Sequence, residues 1–424
     1  MRRFSVVTVV CTLLAVMAGI PSRAQTTAPV PIEYWHVNTE SFGGPAVREL
    51  VADFNRTHPG IVVSEHFQPN TYTGLLENLQ AREAAHNPPD VAQIGYLYVD
   101  YVVKNLPFTP AAQLFEPRFL VNFAPNVLEL ARRNGTLVGM PYALSNIVTF
   151  YNADLLKAAG LDPNHPPRTW DDWRIVAPLI KQRTGKPALY IQVLDDNWST
   201  QAMIESHGGR LFQCEGGIPR ATFDSPQAAA AIGFWSEEVQ GGNALDVLWN
   251  QGEQAFLAGQ VATFVTTIAK RANLQKNAGF DLRAAPFPTF ANLPPRLPAG
   301  GNALMVFSQS PQKQRAAATF IAYLESPRAL AIWTKGTGYL PPNSGARAEL
   351  ADFLASNPIE RVAYDQLKDA VPWTSFPGKD GLAAQQALFG ALQRSLAGSQ
   401  PAGAALHDAA LKVDGLLAGA SCAR

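Results

Sequence analysis

The side chains able to do chemistry are spread thinly along this 424-residue chain. Its seven histidines are scattered, and no two stand at the i, i+4 spacing that places two metal ligands on one helix face. The nucleophile elbow, the phosphate-cradling P-loop, the double CxxC and the HExxH helix do not occur. Two acidic pairs are left as candidates for acid–base work, Asp171 with Asp172 and Asp195 with Asp196. Adjacent side chains on a helix diverge, so the first pair reads as charge at a helix N-terminus. The second pair falls in a loop ahead of Trp198, where it could supply half of a glycosidase-type carboxylate couple. Aromatic rings are the more promising resource. Trp198 and Trp373 lie in polar loops, and His36 and Asn38 end the first strand. Trp235, Trp249 and Trp333 sit in helical patterns and read as packing residues. Aromatic plates with neutral or acidic hydrogen-bonding neighbours suit a hydroxylated solute, whose C–H faces pack on rings and whose hydroxyls need partners.

Composition narrows the classes further. Lysine plus arginine equals aspartate plus glutamate at 34 each, which argues against a nucleic-acid partner, since that needs a basic footprint. With 47% apolar and 10% aromatic residues the chain can bury a large core without metal or cofactor. Arg2 and Arg3 precede an apolar run over residues 4–20, followed by Pro21 and Ser22-Arg23-Ala24. This predicts a secretory signal peptide over residues 1–24. Cys11 lies inside the apolar run, not after it, so a lipoprotein is not expected. Removal of that segment leaves 31 basic and 34 acidic residues and two cysteines, Cys214 and Cys422. An even count in an oxidising compartment permits one disulfide, and two free thiols are the alternative.

The elements that must hold these residues follow an α/β pattern. Residues 32–37, 61–67 and 90–94 read as strands, and the helical spacing of Val47, Leu50, Val51 and Phe54, then of Leu75, Leu76 and Leu79, puts helices between them. Strand–helix–strand–helix–strand implies a parallel sheet with helices on its faces. Further strands are expected over 137–140, 148–151, 188–193, 261–267 and 303–307. Helices are expected over 170–183, 201–206, 226–240, 252–257, 311–324 and 329–334, with a Pro-rich loop over 287–296. Thr169, behind Pro166 and Pro167, is the expected cap of the helix opened by Trp170.

One segment is specific. Residues 141–173, PYALSNIVTFYNADLLKAAGLDPNHPPRTWDDW, resemble a stretch of bacterial extracellular solute-binding proteins of ABC importers, in the maltose-binding-like class. Tyr34-Trp35-His36, the FLAGQVA run from Phe256, Gly300-Gly301-Asn302 and the Gly336-to-Pro341 turn GTGYLP match that family in order, nearest its glycerol-3-phosphate and glycerophosphodiester binders. The resemblance implies an α/β, two-lobed periplasmic-binding-protein fold with discontinuous lobes, residues 25–141 plus 268–327 and residues 142–267 plus 328–424, joined by a multi-strand hinge. It implies a monomer without cofactor or catalysis that captures a sugar or glycerol-phosphate-type solute in the periplasm and delivers it to permease subunits. Carried over position by position, it adds Tyr72, Tyr96, Ser145, Asn146, Thr267, Gly301 and Tyr339 to His36, Asn38, Trp198 and Trp373 as ligand-binding candidates. One departure matters. The glycerol-phosphate binders carry a phosphate-pairing arginine in a C-terminal loop, whereas residues 372–382 contain Lys379 and no arginine, and lysine lacks the bidentate fork. A neutral sugar therefore stands level with a phosphate-bearing ligand, although a helix N-terminus could still hold phosphate.

Overall fold

The structure is a computed structural model and describes residues 28–422 apart from Asp195 and Asn292. The signal-peptide expectation and Asp195 lie outside the described residues. The principal strands are β1 (Val30–His36), β2 (Ile61–Phe67), β3 (Val91–Gly95), β4 (Met140–Ser145), β5 (Ile147–Asn152), β6 (Thr263–Thr267), β7 (Leu282–Pro286) and β8 (Gly300–Val306). The helices that matter below are α1 (Gly44–Thr57), α2 (Thr71–Ala84), α3 (Trp170–Thr184), α4 (Trp198–Ser206), α5 (Pro226–Gln240), α6 (Trp249–Leu257), α7 (Pro311–Leu324), α8 (Pro327–Gly336), α9 (Pro358–Asp365), α10 (Gly381–Leu396) and α11 (Ala402–Leu416).

The strands form two main sheets. The first has the order β2-β1-β3-β8-β4. β1 pairs in parallel with β2 and β3, as the alternating strand–helix pattern requires, while β8 runs antiparallel to both β3 and β4. The second is the antiparallel trio β6-β5-β7. β4 and β5 are separated by Asn146 alone, so one short stretch of chain passes directly from one sheet into the other.

Each sheet is buried by helices whose apolar stripe is readable in sequence. In α1, Val47, Leu50, Val51 and Phe54 face inward, and Phe54 meets Phe320 of α7 at 5.0 Å between ring centres. α3 begins at a capping box. The Thr169 hydroxyl accepts the Asp172 N–H at 3.0 Å, and the Asp172 carboxylate accepts the Thr169 N–H at 3.0 Å. Those bonds hold the Asp172 carboxyl below the usual carboxylate range. Asp172 is thus a helix-start residue.

Two expected elements differ. Residues 188–193 were expected as a strand but contribute only single bridges, Leu189 to Ala244 and Ile191 to Val265. The segment runs beside β6, with Val265 N–H donating to the Tyr190 carbonyl and Gln192 N–H to the Val265 carbonyl. The strand expected over 137–140 is divided. Thr136–Leu137 turns back on Arg132–Arg133, and β4 starts afresh at Met140 beyond Gly139. A hairpin, Phe212–Glu215 with Ile218–Ala221, gave no hydrophobic alternation to read and is mostly exposed. It carries Cys214, whose sulfur is bonded to that of Cys422 across 208 residues of sequence. Of the two cysteine alternatives, the disulfide is the one formed.

Candidate functional site

β1, β3 and β4 all end at one edge of the first sheet, where β8 begins. Ser145, the last residue of β4, sits opposite Gly300, the first of β8. Beside that edge the second sheet presents Thr267, paired with Ile147. Crevices outside the carboxyl ends of parallel strands are the common place for ligands in open α/β sheets. Here the crevice holds a cavity with about 410 Å³ of non-atom space, part of it open to solvent. Its walls include Tyr72, Ser145, Trp198, Thr267, Tyr339 and Trp373, with Gly300 and Gly301 at its floor.

The rings are held by hydrogen bonds at their polar tips, which fixes the faces they offer. The Trp198 indole donates to the Pro298 carbonyl at 2.8 Å, and its backbone N–H donates to the Asp196 carboxylate at 3.1 Å. The Trp373 indole donates to the Asn197 side-chain oxygen at 2.9 Å, and its ring centre lies 6.2 Å from that of Trp198. Across the cavity the Asn302 amide donates to the Tyr72 hydroxyl at 2.9 Å. Tyr339 stacks on Trp333 with ring centres 5.4 Å apart and planes 6° from parallel. Burial pushes the phenols of Tyr72 and Tyr339 above their ordinary pKa, so both are neutral hydroxyls able to donate or accept.

Two glycines make this packing possible. Gly301 has φ of +113°, and a Cβ there would stand 1.9 Å from the Ala143 carbonyl oxygen. Gly338, ahead of Tyr339, has φ of +138° and would place a Cβ 2.2 Å from the Ile268 carbonyl oxygen. Both positions need a residue without a side chain.

Four of the expected residues lie outside the cavity lining. His36 is 3% exposed; its Nδ1 accepts the Asn38 N–H, so its Nε2 carries the proton and donates to Glu65 at 2.6 Å. Burial holds this imidazole below its ordinary pKa, which keeps it neutral. The Asn38 amide donates to the Phe42 carbonyl at 2.8 Å and shapes the turn that carries Phe42. Tyr96 begins a short 3₁₀ turn after β3 and is 2% exposed in the core. The Asn146 amide donates to the Ala363 carbonyl at 2.7 Å, facing α9 and not the crevice.

Sequence reasoning missed other lining residues, among them Phe42, Gln192 and Trp249. Trp249 was read as packing, and it does pack: its ring meets Phe42 edge-on at 5.3 Å and carries the Lys270 ammonium 4.3 Å from its centre. It also faces the cavity. Its indole donates to the Thr266 hydroxyl at 2.9 Å, which donates to the Gln192 side-chain oxygen at 2.5 Å, orienting a second lining residue. The signal that could have found it is its place at a helix start, with polar Asn250 and Gln251 directly after it. Asp196, 8% exposed, also lines the cavity and is the one carboxylate among its described lining residues, which include no lysine or arginine. Among the described residues no cluster of three or more histidine, cysteine or acidic side chains could hold a metal.

Rings backed by neutral hydrogen-bonding groups suit a small hydroxylated molecule. The chain matches the bacterial extracellular solute-binding protein family over residues 40–331 and belongs to that family. It is 23% identical to the sn-glycerol-3-phosphate-binding periplasmic protein UgpB of Escherichia coli K12 over 393 residues, covering 87% of this chain and 83% of that one. It is 24% identical to the protein of the same name from Pectobacterium atrosepticum, covering 86% and 84%. Among solved structures, UgpB from Mycobacterium tuberculosis in complex with glycerophosphocholine superposes with a TM-score of 0.81 at 23% identity, over 92% of this chain and 98% of that one. The GacH receptor of Streptomyces glaucescens gives 0.79 at 20% identity, over 92% and 99%. The fold is therefore the two-lobed α/β architecture of periplasmic solute-binding proteins, and the protein is a solute-binding component.

Proposed function

We propose that this protein captures a sugar, polyol or glycerophosphodiester in the periplasm and hands it, unchanged, to the permease subunits of an ABC importer. The carrying observation is the cavity itself: Tyr72, Trp198, Trp249, Tyr339 and Trp373 surround it, and Asp196 is the one charge among its described lining residues. A phosphate monoester would find no cation in the lining, since the Lys270 ammonium behind Trp249 is already paired with Glu253 at 2.8 Å, and would have a carboxylate beside it, which disfavours binding. A neutral sugar, or a diester whose charge is offset by a cationic end that can rest on the rings, fits better. Tyr72, Ser145, Trp198, Thr267, Gly301, Tyr339 and Trp373 are the proposed ligand contacts.

The lobes meet where β4 passes into β5, at Asn146. Within the described residues we place the first lobe on 28–141 plus 268–327 and the second on 142–267 plus 328–422, with two exchanges. β7 pairs with β5 and goes with the second sheet, while α8 lies against α1, Gly336 facing Ala46, and goes with the first.

The test is thermal unfolding of the mature protein against a panel of sugars, polyols and glycerophosphodiesters. A true ligand at a hundred times its Kd adds about 2.7 kcal/mol and raises Tm visibly. A panel without any shift at millimolar concentration would remove the reading. Turnover of aryl glycosides would replace it with hydrolysis.

A further inference from the structure

A second, larger space adjoins the aromatic cavity and has no role in the reading above. It contains about 2060 Å³ of non-atom space, part of it open to solvent. The partition between the two is thin. Ala299 borders the chamber and Gly300 the cavity; Pro372 borders the chamber and Trp373 the cavity. These two segments are bonded to each other, the Ala299 N–H donating to the Val371 carbonyl at 2.8 Å. Ser145 lines both spaces. A molecule seated against Trp198 and Trp373 therefore has the chamber as its neighbour past one serine side chain.

The chamber's chemistry differs from the cavity's. Val121, Pro125, Pro341, Pro342, Val371 and Pro372 supply much of its wall. Prolines have no backbone N–H to offer. Two of its polar residues are already engaged: Asn343 donates to the Glu325 carbonyl and accepts the Gly345 N–H, and the Ser344 hydroxyl donates to the Asn122 carbonyl, whereas the buried Tyr364 hydroxyl has no partner among the described residues. The charged members, Glu129, Arg347 and Asp365, are exposed, and Glu129 is paired with Arg132. An alkyl or aryl group laid against these valine, proline and leucine surfaces would withdraw apolar area from water on both sides of the contact.

We propose that the chamber is a second subsite of the same binding site, taking an apolar arm joined to the hydroxylated group held in the aromatic cavity. This rests on the solute-binding reading and adds to it the ligand class, an amphipathic glycoside or monoacyl glycerophosphodiester.

The experiment uses matched pairs below their micellar concentrations: methyl and octyl β-glucoside, methyl and octyl β-maltoside, and glycerophosphocholine with its octanoyl monoester. Each is titrated calorimetrically into the mature protein. In a pair whose short member binds, the octyl or octanoyl member is expected to bind at least about tenfold tighter. Val121→Asp, at a position 75% exposed and so harmless to folding, should cut that advantage by about threefold or more and leave the short member's Kd unchanged. Trp198→Ala should weaken both members. Equal affinity within every pair that binds, or an advantage untouched by Val121→Asp, overturns the chamber while leaving the cavity reading intact. Binding of no short or long member overturns both.

Discussion

The hydroxyls of Tyr72 and Tyr339 lie 3.5 Å apart although 267 residues separate them in sequence. Tyr72 lies in the first turn of α2, and Tyr339 follows the left-handed Gly338; Asn302 of β8 also donates to the Tyr72 oxygen. The pair forms one polar corner of the aromatic-walled cavity.

Tyr72→Phe removes that corner while keeping the ring. It leaves the Asn302 amide without its acceptor, a loss of about 1–2 kcal/mol in stability. A solute hydroxyl that bonds there should bind roughly 5–30-fold more weakly. Calorimetric titration of the ligand found in the thermal panel checks this; unchanged affinity would remove Tyr72 from the contact set.

Gly301→Ala should be among the most damaging single substitutions near the cavity. The added methyl meets the Ala143 carbonyl oxygen at 1.9 Å in a backbone conformation that disfavours side chains. Either the β8–β4 pairing opens or the backbone moves, and a cost of about 3 kcal/mol or more is expected. Urea unfolding measures it, and a cost below about 1 kcal/mol would contradict the close approach.

Glu325 predicts a pH dependence. It follows α7 in the interior, 1% exposed, and neither carboxyl oxygen has a hydrogen-bond partner among the described residues. Burial raises its pKa well above the ordinary 4.5. The folded chain therefore keeps a proton that the unfolded chain releases near pH 4.5. The stability this group contributes is full below that pH and is lost as pH rises toward the folded value. Glu325→Gln should be close to neutral near pH 4 and increasingly stabilising above it, by at most about 1.4 kcal/mol per pH unit. Urea melts of both proteins from about pH 4 to 8 would show diverging curves; parallel curves would refute it.

The Cys214–Cys422 bond ties the exposed hairpin to the chain end, where the Cys422 N–H also donates to the Gly217 carbonyl at 3.0 Å. Replacing both cysteines with serine should lower stability by about 2–5 kcal/mol. The wild-type protein should match the variant only after reduction, and a thiol assay on the unreduced mature protein should find none free.

Periodic elements were legible in the sequence and long-range pairings were not. The stripes of α1 and α2 and the β-rich runs between them define the parallel strands because each element announces its own buried face. β8 announces a strand, but nothing local tells that Gly300 will pair with Ser145 from far upstream, so the antiparallel return was hidden. The same limit acts on the site. Trp249 is 7% exposed, and a ring that both packs and faces a cavity gives the signature of packing alone. His36 and Asn38 were correctly placed at a strand end, yet their side chains answer to Glu65 and to the Phe42 carbonyl, partners visible only in three dimensions.

Asn146 carries a mechanical consequence. Its carbonyl takes the Ile268 N–H, its side chain holds Ala363, and Gln366 of the same neighbourhood donates to the Ile147 carbonyl at 3.0 Å. These bonds pin the two crossing stretches together beside Asn146, and on the proposed two-lobed reading they favour a swing about that place over a glide of one half past the other. In a swing, what lies next to the axle barely travels. On the proposed reading Ser145 and Thr267, next to that axle, would shift least as a guest enters, and the distant rim would sweep the widest arc and set when the door is open.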